Sequence, residues 1–167
     1  MNNEIAKRKN NRLQGYSYSE NGIYFLTICS KDKAKIFGEV VGDGVLDVPK
    51  TQLSNYGKIV EEILLELDRH YQYITVDKYV IMPNHVHLLL TVMLHNGTSR
   101  TPSPTNAVVP SFISTWKRFS NKRASVQLFQ RSYHDHVVRN EADFLACWKY
   151  IDENPVKWQE DELYMKE

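Results

Sequence analysis

Residues 74–92 read ITVDKYVIMPNHVHLLLTV, a stretch that predicts two β-strands, Ile74 to Met82 and Val86 to Val92. β-Branched and aromatic residues are frequent in both halves, and Pro83-Asn84 between them is typical of a tight turn. Because strands joined by so short a turn are antiparallel neighbours, the stretch predicts the centre of an antiparallel sheet.

Further strands are expected on both sides of this pair. Residues 23–29 (IYFLTIC) predict a strand that is buried on both faces. A Gly-Asp-Gly turn at 42–44, between two short apolar runs, predicts an accessory hairpin within residues 36–48. A last short strand is expected near 133–138.

Apolar residues recur at helical spacing in three segments, which predicts three amphipathic helices. Ser54 precedes the first helix, and Asn140, with Asp143 three residues on, is an N-cap signal for the third, which ends before Pro155. The apolar positions are Ile59, Ile63, Leu64 and Leu67; then Val109, Phe112, Ile113, Trp116 and Phe119; then Phe144, Cys147, Trp148 and Ile151.

The order strand, helix, strand, strand, helix, strand, helix predicts an α+β fold of the ferredoxin-like (RRM-like) kind, with helices packed on the sheet. With 167 residues, the chain is expected to form one domain, 1–167. Residues 1–14 are expected to be a basic N-terminal arm, and the Ser-, Thr- and Pro-rich residues 95–106 a mobile loop.

The composition favours a protein of the cytoplasm. Cys29 and Cys147, the two cysteines, fall in apolar periodic segments and are expected to be buried thiols. No apolar run approaches the roughly 20 residues of a membrane span, so no membrane association is expected. Because 21 basic and 20 acidic residues nearly cancel, any nucleic-acid surface must be a local patch.

Two groups of cations, one in the N-terminal arm and one on the second predicted helix, could form such a patch, and two arginines flank the last predicted strand. Ordinary solvated surface is the alternative for each group. Aromatic residues next to cations, as with Tyr16 and Tyr18 near the N-terminal arm, suit unpaired bases and phosphates. The candidate DNA-binding residues are Arg8, Arg12, Lys117, Arg118, Lys122, Arg123, Arg131 and Arg139.

His85 and His87 alternate with Val86 and Leu88, so both imidazoles lie on one face of their strand. Their Cα atoms are expected about 6.5 to 7 Å apart, from which two side chains can converge on one metal ion. The alternative is two half-buried polar residues without a ligand. A second pair, His134 and His136, has the same spacing but lacks a long apolar strand to hold it.

Tyr150 and Asn154 are four residues apart in the last predicted helix and are therefore neighbours on its surface. Tyr150 lies about 110° from the centre of the apolar stripe, so it flanks the core instead of filling it. A tyrosine at the rim of a core with no chemical role is the alternative.

Three segments, MPNHVHLLL (82–90), QRSYHDHVVRNEADF (130–144) and YIDENPVKW (150–158), resemble the single-tyrosine transposases of the His-hydrophobic-His superfamily. The REP-associated tyrosine transposases are the group most similar to them, and residues 15–40 also look like that group's first strand. The resemblance implies that His85 and His87 bind Mg or Mn and that Tyr150 is the nucleophile. It also implies that Asn154 completes the metal shell.

This resemblance implies a DNA-binding transposase that cleaves and joins single-stranded, hairpin-bearing DNA through a 5′-phosphotyrosine, as a monomer or homodimer. Tyr133 is the rival nucleophile, but it precedes the last helix and has no counterpart in the group. Two imidazoles with one amide oxygen are a softer ligand set than Mg usually selects, which brings Mn into consideration. The alternative functions are a catalytically silent nucleic-acid-binding domain and a metal-dependent hydrolase that uses water.

Overall fold

A four-stranded antiparallel sheet organises the computed structural model, which describes residues 21–42, 47–93 and 108–164. Short 3₁₀ turns follow the first strand at Lys31–Lys33 and the last helix at Trp158–Glu160. In chain order the strands and helices are β1 (Gly22–Cys29), β2 (Gly38–Val41), β3 (Lys50–Leu53), α1 (Asn55–His70), β4 (Ile74–Ile81), β5 (His85–Val92), α2 (Val108–Ala124), β6 (His134–Val138) and α3 (Glu141–Glu153).

The strand order in the sheet is β4-β5-β1-β6, with every neighbouring pair antiparallel. Leaving out the β2–β3 hairpin, the second strand of the βαββαβ sequence lies at one edge and the fourth at the other, which is the ferredoxin-like arrangement. The predicted fold class is therefore confirmed. It makes β5, with the histidine pair, one of the two central strands.

The two faces of the sheet carry different helices. On one face, α1 and α2 pack against Tyr24, Leu26 and Ile28 of β1, all fully buried. On the other face, α3 packs through Cys147 and Ile151 onto Leu89 of β5 and its half-buried neighbours. Burial of each large apolar side chain stabilises the fold by about 1.5 to 3 kcal/mol. Helices on both faces explain why β1 reads as a continuous apolar run.

The accessory hairpin exists, but its predicted second strand is wrong. β2 pairs with β3, which lies beyond the short apolar run at 45–48 that was expected to pair. Residues 43–46, which include two of the three residues of the predicted turn at 42–44, lie outside the described residues. The position of β3 is fixed by the helix that follows. Ser54, the N-cap of α1, donates its hydroxyl to the carbonyl of Ile36 and its backbone N–H to that of Phe37.

α1 and α3 begin where the sequence predicts, whereas one residue of the predicted apolar stripe of α2 is wrong. Asn140 caps α3 by accepting a hydrogen bond from the backbone N–H of Asp143, as expected. Phe119 was expected in the core but is 40% exposed, and Ser120 is buried instead. Trp116 is the last large residue of the buried stripe, since α2 runs on past the edge of the core. None of the helices in the described ranges is both long and apolar enough to span a membrane.

Two further expectations lie outside the described residues, namely the basic N-terminal arm at 1–14 and the loop at 95–106. Arg8 and Arg12 belong to the first of these. Both cysteines are buried free thiols, as predicted.

Candidate active site

His85 and His87 lie side by side on the face of β5 that α3 covers. Both side chains are buried, and their ring centroids are 4.5 Å apart. Strand pairing places His87 opposite Thr27 and His85 opposite Cys29 on the central strand β1. Neither Nε2 atom has a hydrogen-bond partner among the residues that the structure describes.

The Nδ1 atoms of the two rings, in contrast, are both engaged. Nδ1 of His85 lies 2.8 Å from Oδ1 of Asn84, whose Nδ2 donates to the carbonyl of Leu163 at 2.8 Å. Because a carbonyl can only accept, the amide of Asn84 has one orientation, and Nδ1 of His85 must carry the proton. Nδ1 of His87 lies 2.9 Å from Oγ1 of Thr27, a hydroxyl that can accept as well as donate, so the Nδ1–H tautomer is open to His87 too. Each ring can thus offer the lone pair of Nε2 to a ligand.

Burial keeps both imidazoles neutral. It lowers the pKa of His85 to about 4, although the charge of Asp161 and the side chain of Asn154 act in the opposite direction. Burial also lowers the pKa of His87 well below its ordinary value, and the neighbouring His85 adds to the effect. Neutral imidazole is the form that binds metal ions.

Tyr150 projects from α3 toward the histidines of the same chain. Its ring stands edge-on to His87 with centroids 5.1 Å apart, and edge-on to Phe25 at 5.8 Å. The side chain is 46% exposed, and its hydroxyl donates to Oδ2 of Asp161 at 3.3 Å. Burial, then the charge of Asp161, raises the pKa of Tyr150 to about 12. The phenol is thus reachable from solvent but protonated at neutral pH.

Asn154, one turn after Tyr150, is 3% exposed and faces the same site. Its Nδ2 donates to Oδ2 of Asp161 at 3.0 Å, whereas its Oδ1 is buried without a partner among the described residues. Within the part of the chain that the structure describes, this Oδ1 and the Nε2 atoms of His85 and His87 are thus three lone-pair-bearing atoms that are buried and unsatisfied. Each such atom costs about 1 to 3 kcal/mol, which a cation bound by all three would offset. Two imidazole nitrogens and an amide oxygen fit a divalent first-row metal ion.

Asp161 was not expected from the sequence. Its side chain is 3% exposed, and Oδ2 lies 4.0 Å from Nε2 of His85. With the two histidines it forms a group of ligand atoms that all lie within 4.8 Å of one another. It also lines a cavity of about 240 Å³ together with Tyr150 and Asn154. No periodicity connects it to α3, because the 3₁₀ turn Trp158–Glu160 intervenes.

Two other residues of the site were also missed. Asn84 stands directly before His85 in the motif, so its position could have suggested a role. Thr27 could have been found only by pairing β1 with β5, since nothing in its own segment distinguishes it.

The rival residues lie elsewhere. Tyr133 is buried in the core beneath α1 and α2, on the opposite face of the sheet from the histidine pair. His134 and His136 are exposed on β6, an edge strand, where Nε2 of His136 contacts the carboxylate of Asp143 at 2.9 Å. Among the described residues, Tyr150 is therefore the candidate nucleophile that the fold brings to His85 and His87.

The cations predicted to form a patch on and near α2 differ in their partners and in their exposure. Nζ of Lys117 donates to the backbone carbonyls of Gln130 and Ser132 at 2.8 and 3.1 Å, and burial lowers its pKa to about 8. Arg123 pairs with glutamates of α1. Arg118 and Arg131 are exposed and line a cavity of about 490 Å³ that Lys117 also lines.

Lys122 and Arg139, the remaining described candidates, are also exposed.

Fold and sequence are similar to those of one class of protein, the REP-associated tyrosine transposases. A solved structure of a REP-associated tyrosine transposase bound to a REP hairpin superimposes with a TM-score of 0.63 at 15% identity, covering 88% of this chain and 73% of the other. The resemblance inferred from the sequence motifs is thereby confirmed at the level of the fold.

Two proteins of Haemophilus influenzae are similar along most of their sequences. One, of uncharacterised function, is 29% identical over an alignment of 179 positions that covers 96% of this chain and 95% of the relative. The other, provisionally named a REP-associated tyrosine transposase, is 23% identical over 145 residues, covering 84% and 73%. No family model matches the chain.

Proposed function

We propose that this protein is a transposase that cleaves and rejoins single-stranded DNA, with Tyr150 as the nucleophile. His85, His87 and Asn154 would hold a divalent cation, Mg or Mn, beside it. The similarity to REP-associated tyrosine transposases supports the reaction class. The complex of one such protein with a REP hairpin supports a hairpin-bearing substrate.

One observation carries the proposal. Among the described residues, Nε2 of His85, Nε2 of His87 and Oδ1 of Asn154 are buried without hydrogen-bond partners, and the ring of His87 stands edge-on to the solvent-reachable ring of Tyr150 in the same chain. A structural role would leave the cost of those atoms unexplained, whereas a cation that they bind accounts for it. A catalytically silent binding domain would have no use for such an arrangement.

In the reaction, the phenolic oxygen of Tyr150 attacks a backbone phosphorus, and the bond from phosphorus to the 3′ oxygen breaks. The products are a 5′-phosphotyrosine and a strand ending in a 3′-hydroxyl, whose oxygen takes up a proton. Asp161 accepts the hydrogen bond of the phenol and is placed to receive the proton that Tyr150 loses. A bound cation would neutralise the charge that develops on the phosphate and lower the cost of forming the phenolate.

Joining is the reverse reaction. The phosphotyrosine retains a reactive ester, so the 3′-hydroxyl of another strand can displace Tyr150 and restore a phosphodiester without ATP. The same side chains would act in cleavage and in joining, as the movement of a DNA segment requires.

DNA would be held mainly away from this site, because the cavity at Tyr150 is lined by glutamates such as Glu153 and Glu162. Arg118 and Arg131 are the best placed for phosphate contacts, with exposed Lys122 and Arg139 as further candidates. Lys117 and Arg123 have intramolecular partners and would contribute less.

A labelled single-stranded oligonucleotide with a hairpin tests the proposal. Incubated with Mn²⁺ or Mg²⁺ and then denatured, it should stay covalently attached to the protein through its 5′ side. Tyr150→Phe should abolish the adduct, and His85→Ala or His87→Ala should reduce it at least 100-fold. Tyr164→Phe, which alters a tyrosine beside Trp158, is the matched control and should retain adduct formation.

An adduct that survives in Tyr150→Phe would show that the nucleophile is another residue. Release of cleaved DNA with no adduct in the wild type would instead indicate a hydrolase that uses water. Binding without cleavage under either metal would support the silent DNA-binding domain.

A further inference from the structure

Asp161 connects the parts of the site that lie on different elements. Its Oδ2 accepts hydrogen bonds from Nδ2 of Asn154 at 3.0 Å and from the hydroxyl of Tyr150 at 3.3 Å. Its Oδ1 accepts from the backbone N–H of Leu163 at 2.6 Å. The side chain is almost completely buried. A buried carboxylate with this set of donors is held in one orientation.

The hydrogen bond between Asp161 and Asn154 fixes the orientation of the Asn154 amide. An amide presents NH₂ on one side and oxygen on the other, and it can turn over at little cost in volume. If the Asn154 amide turned over, its oxygen would face the carboxylate of Asp161, and two acceptors would oppose each other at about 3 Å. Asp161 thus forces Nδ2 toward itself and Oδ1 toward the interior, where Oδ1 has no other partner among the described residues.

The same short segment fixes the other amide of the site. Leu163 donates its N–H to Asp161 and accepts the Nδ2 hydrogen bond of Asn84, which in turn determines the tautomer of His85. The turn at 161–163 therefore holds both amides, one from each side of the histidine pair.

We propose that Asp161 is a positioning residue for the cation, which acts by locking the amide of Asn154 with its oxygen toward His85 and His87. The inference rests on the cation site of the proposed function. It assigns to Asp161 a contribution to metal affinity that is separate from its contact with Tyr150.

Direct ligation by Asp161 is the competing role. The carboxylate lies 4.0 Å from Nε2 of His85, and both its oxygens already accept hydrogen bonds from the protein. Binding a cation through Oδ2 would require the donors on Tyr150 and Asn154 to turn away. Positioning requires no rearrangement. The two roles differ in whether the effect of replacing Asp161 on metal affinity depends on the residue at position 154.

A double-mutant cycle read by isothermal titration of Mn²⁺ alone, without DNA, separates them. Asp161→Asn should weaken Mn²⁺ binding about 10- to 100-fold, the usual loss when a partner of a metal ligand is removed. Asn154→Asp offers a carboxylate, which has no wrong side to present and needs no orientation. In that background Asp161→Asn should leave the affinity unchanged or increase it, since the amide introduced at position 161 could donate to the carboxylate introduced at position 154.

Two controls accompany the cycle. Glu162→Gln removes one negative charge next to Asp161 from an exposed residue of the same cavity and should change the affinity less than threefold. His85→Ala with His87→Ala should abolish binding, which assigns the measured site to the histidine pair. Thermal unfolding of each variant by circular dichroism establishes that it is folded.

A loss of affinity from Asp161→Asn that is equal in both backgrounds would overturn positioning in favour of ligation. Wild-type affinity in Asp161→Asn alone would overturn any role of Asp161 toward the metal. Neither result depends on the proposed reaction, because a wild type that binds Mn²⁺ through His85 and His87 yet forms no DNA adduct would refute only the proposed function.

Discussion

Asn84 determines which nitrogen His85 presents to the site, and the hydroxyl of Thr27 engages Nδ1 of His87. An imidazole whose Nδ1–H is engaged has its Nε2 lone pair free, whereas a ring without that partner can adopt either tautomer or turn over. Thr27 serves His87 from the neighbouring strand, and Asn84 serves His85 from the turn before β5. At the scale of single residues, the site therefore depends on the hydrogen-bond partners of the histidines as well as on the histidines themselves.

Thr27→Val tests this dependence with little change of shape. Valine is equally suited to a strand and nearly isosteric, but it leaves Nδ1 of His87 without its hydroxyl partner. Mn²⁺ affinity measured by titration calorimetry should fall about tenfold, as is usual for partners of metal-binding histidines. Thr75→Val, at an exposed position of β4, is the control and should bind as the wild type does. Unchanged affinity in Thr27→Val would show that the hydroxyl is dispensable.

The metal-free histidines should make the fold sensitive to mild acid. Burial lowers the pKa of both below the value of about 6.5 in an unfolded chain, so the unfolded state binds more protons as the pH falls. Stability is therefore full above about pH 6.5 and is lost progressively toward the folded pKa of His85, with a slope of up to about 1.4 kcal/mol per pH unit for each histidine.

Urea unfolding in the presence of EDTA measures this effect between pH 7 and 5. The free energy of unfolding should fall by up to about 4 kcal/mol for the pair. His85→Gln with His87→Gln should give a flatter profile. A wild-type profile as flat as that of the double variant would contradict neutral, buried imidazoles.

At the scale of elements, α3 carries Tyr150 and ends at Asn154, its C-cap, but is held by a small buried surface, mainly Cys147 and Ile151. Its first turn depends on the cap at Asn140. Asn140→Ala should reduce the free energy of unfolding by about 1 kcal/mol, whereas Asn140→Asp, which keeps an acceptor, should not. Mn²⁺ affinity should be the same in both variants, because the cap lies about four turns from Asn154. A loss of affinity in Asn140→Ala would mean that the whole helix shifts.

Lys117 ties α2 to the segment that leads into β6. Its ammonium donates to the carbonyls of Gln130 and Ser132 from a largely buried position. Lys117→Met keeps the apolar stem but removes these donors, so it should cost about 2 kcal/mol of stability. Arg118→Met, at the exposed next position, should change stability by less than about 0.5 kcal/mol. Equal effects in urea unfolding would argue against a structural role for Lys117.

At the scale of the whole molecule, the features that can be predicted from the sequence are those that follow from the regular periods of strands and helices. Alternation in β5 placed both histidines on one face, and a spacing of four in α3 made Tyr150 and Asn154 neighbours. Asp161 could not be found this way, because an irregular turn separates it from α3. The position of β3 was missed since KTQL has no apolar run, and the helix cap at Ser54 determines it instead.

Acidic and basic residues are concentrated in different parts of the molecule. Net charge is only +1, yet glutamates line the cavity at Tyr150, and Arg118 and Arg131 line a cavity under α2, which covers the opposite face of the sheet. DNA held by the arginines must therefore cross an edge of the sheet to reach Tyr150. Its binding should depend on the arginine cavity and not on the cation.

Arg118→Ala with Arg131→Ala tests this separation by fluorescence anisotropy of a labelled hairpin oligonucleotide in EDTA, between about 50 and 200 mM salt. Loss of two phosphate contacts should reduce the slope of log affinity against log salt by about 1.4 to 1.8. Lys50→Ala with Lys58→Ala, an equal change of charge at exposed positions, should leave it unaltered, and His85→Ala with His87→Ala should bind as the wild type does. An unchanged slope in the arginine variant would transfer the phosphate contacts to other cations, with Lys122 and Arg139 the next to replace.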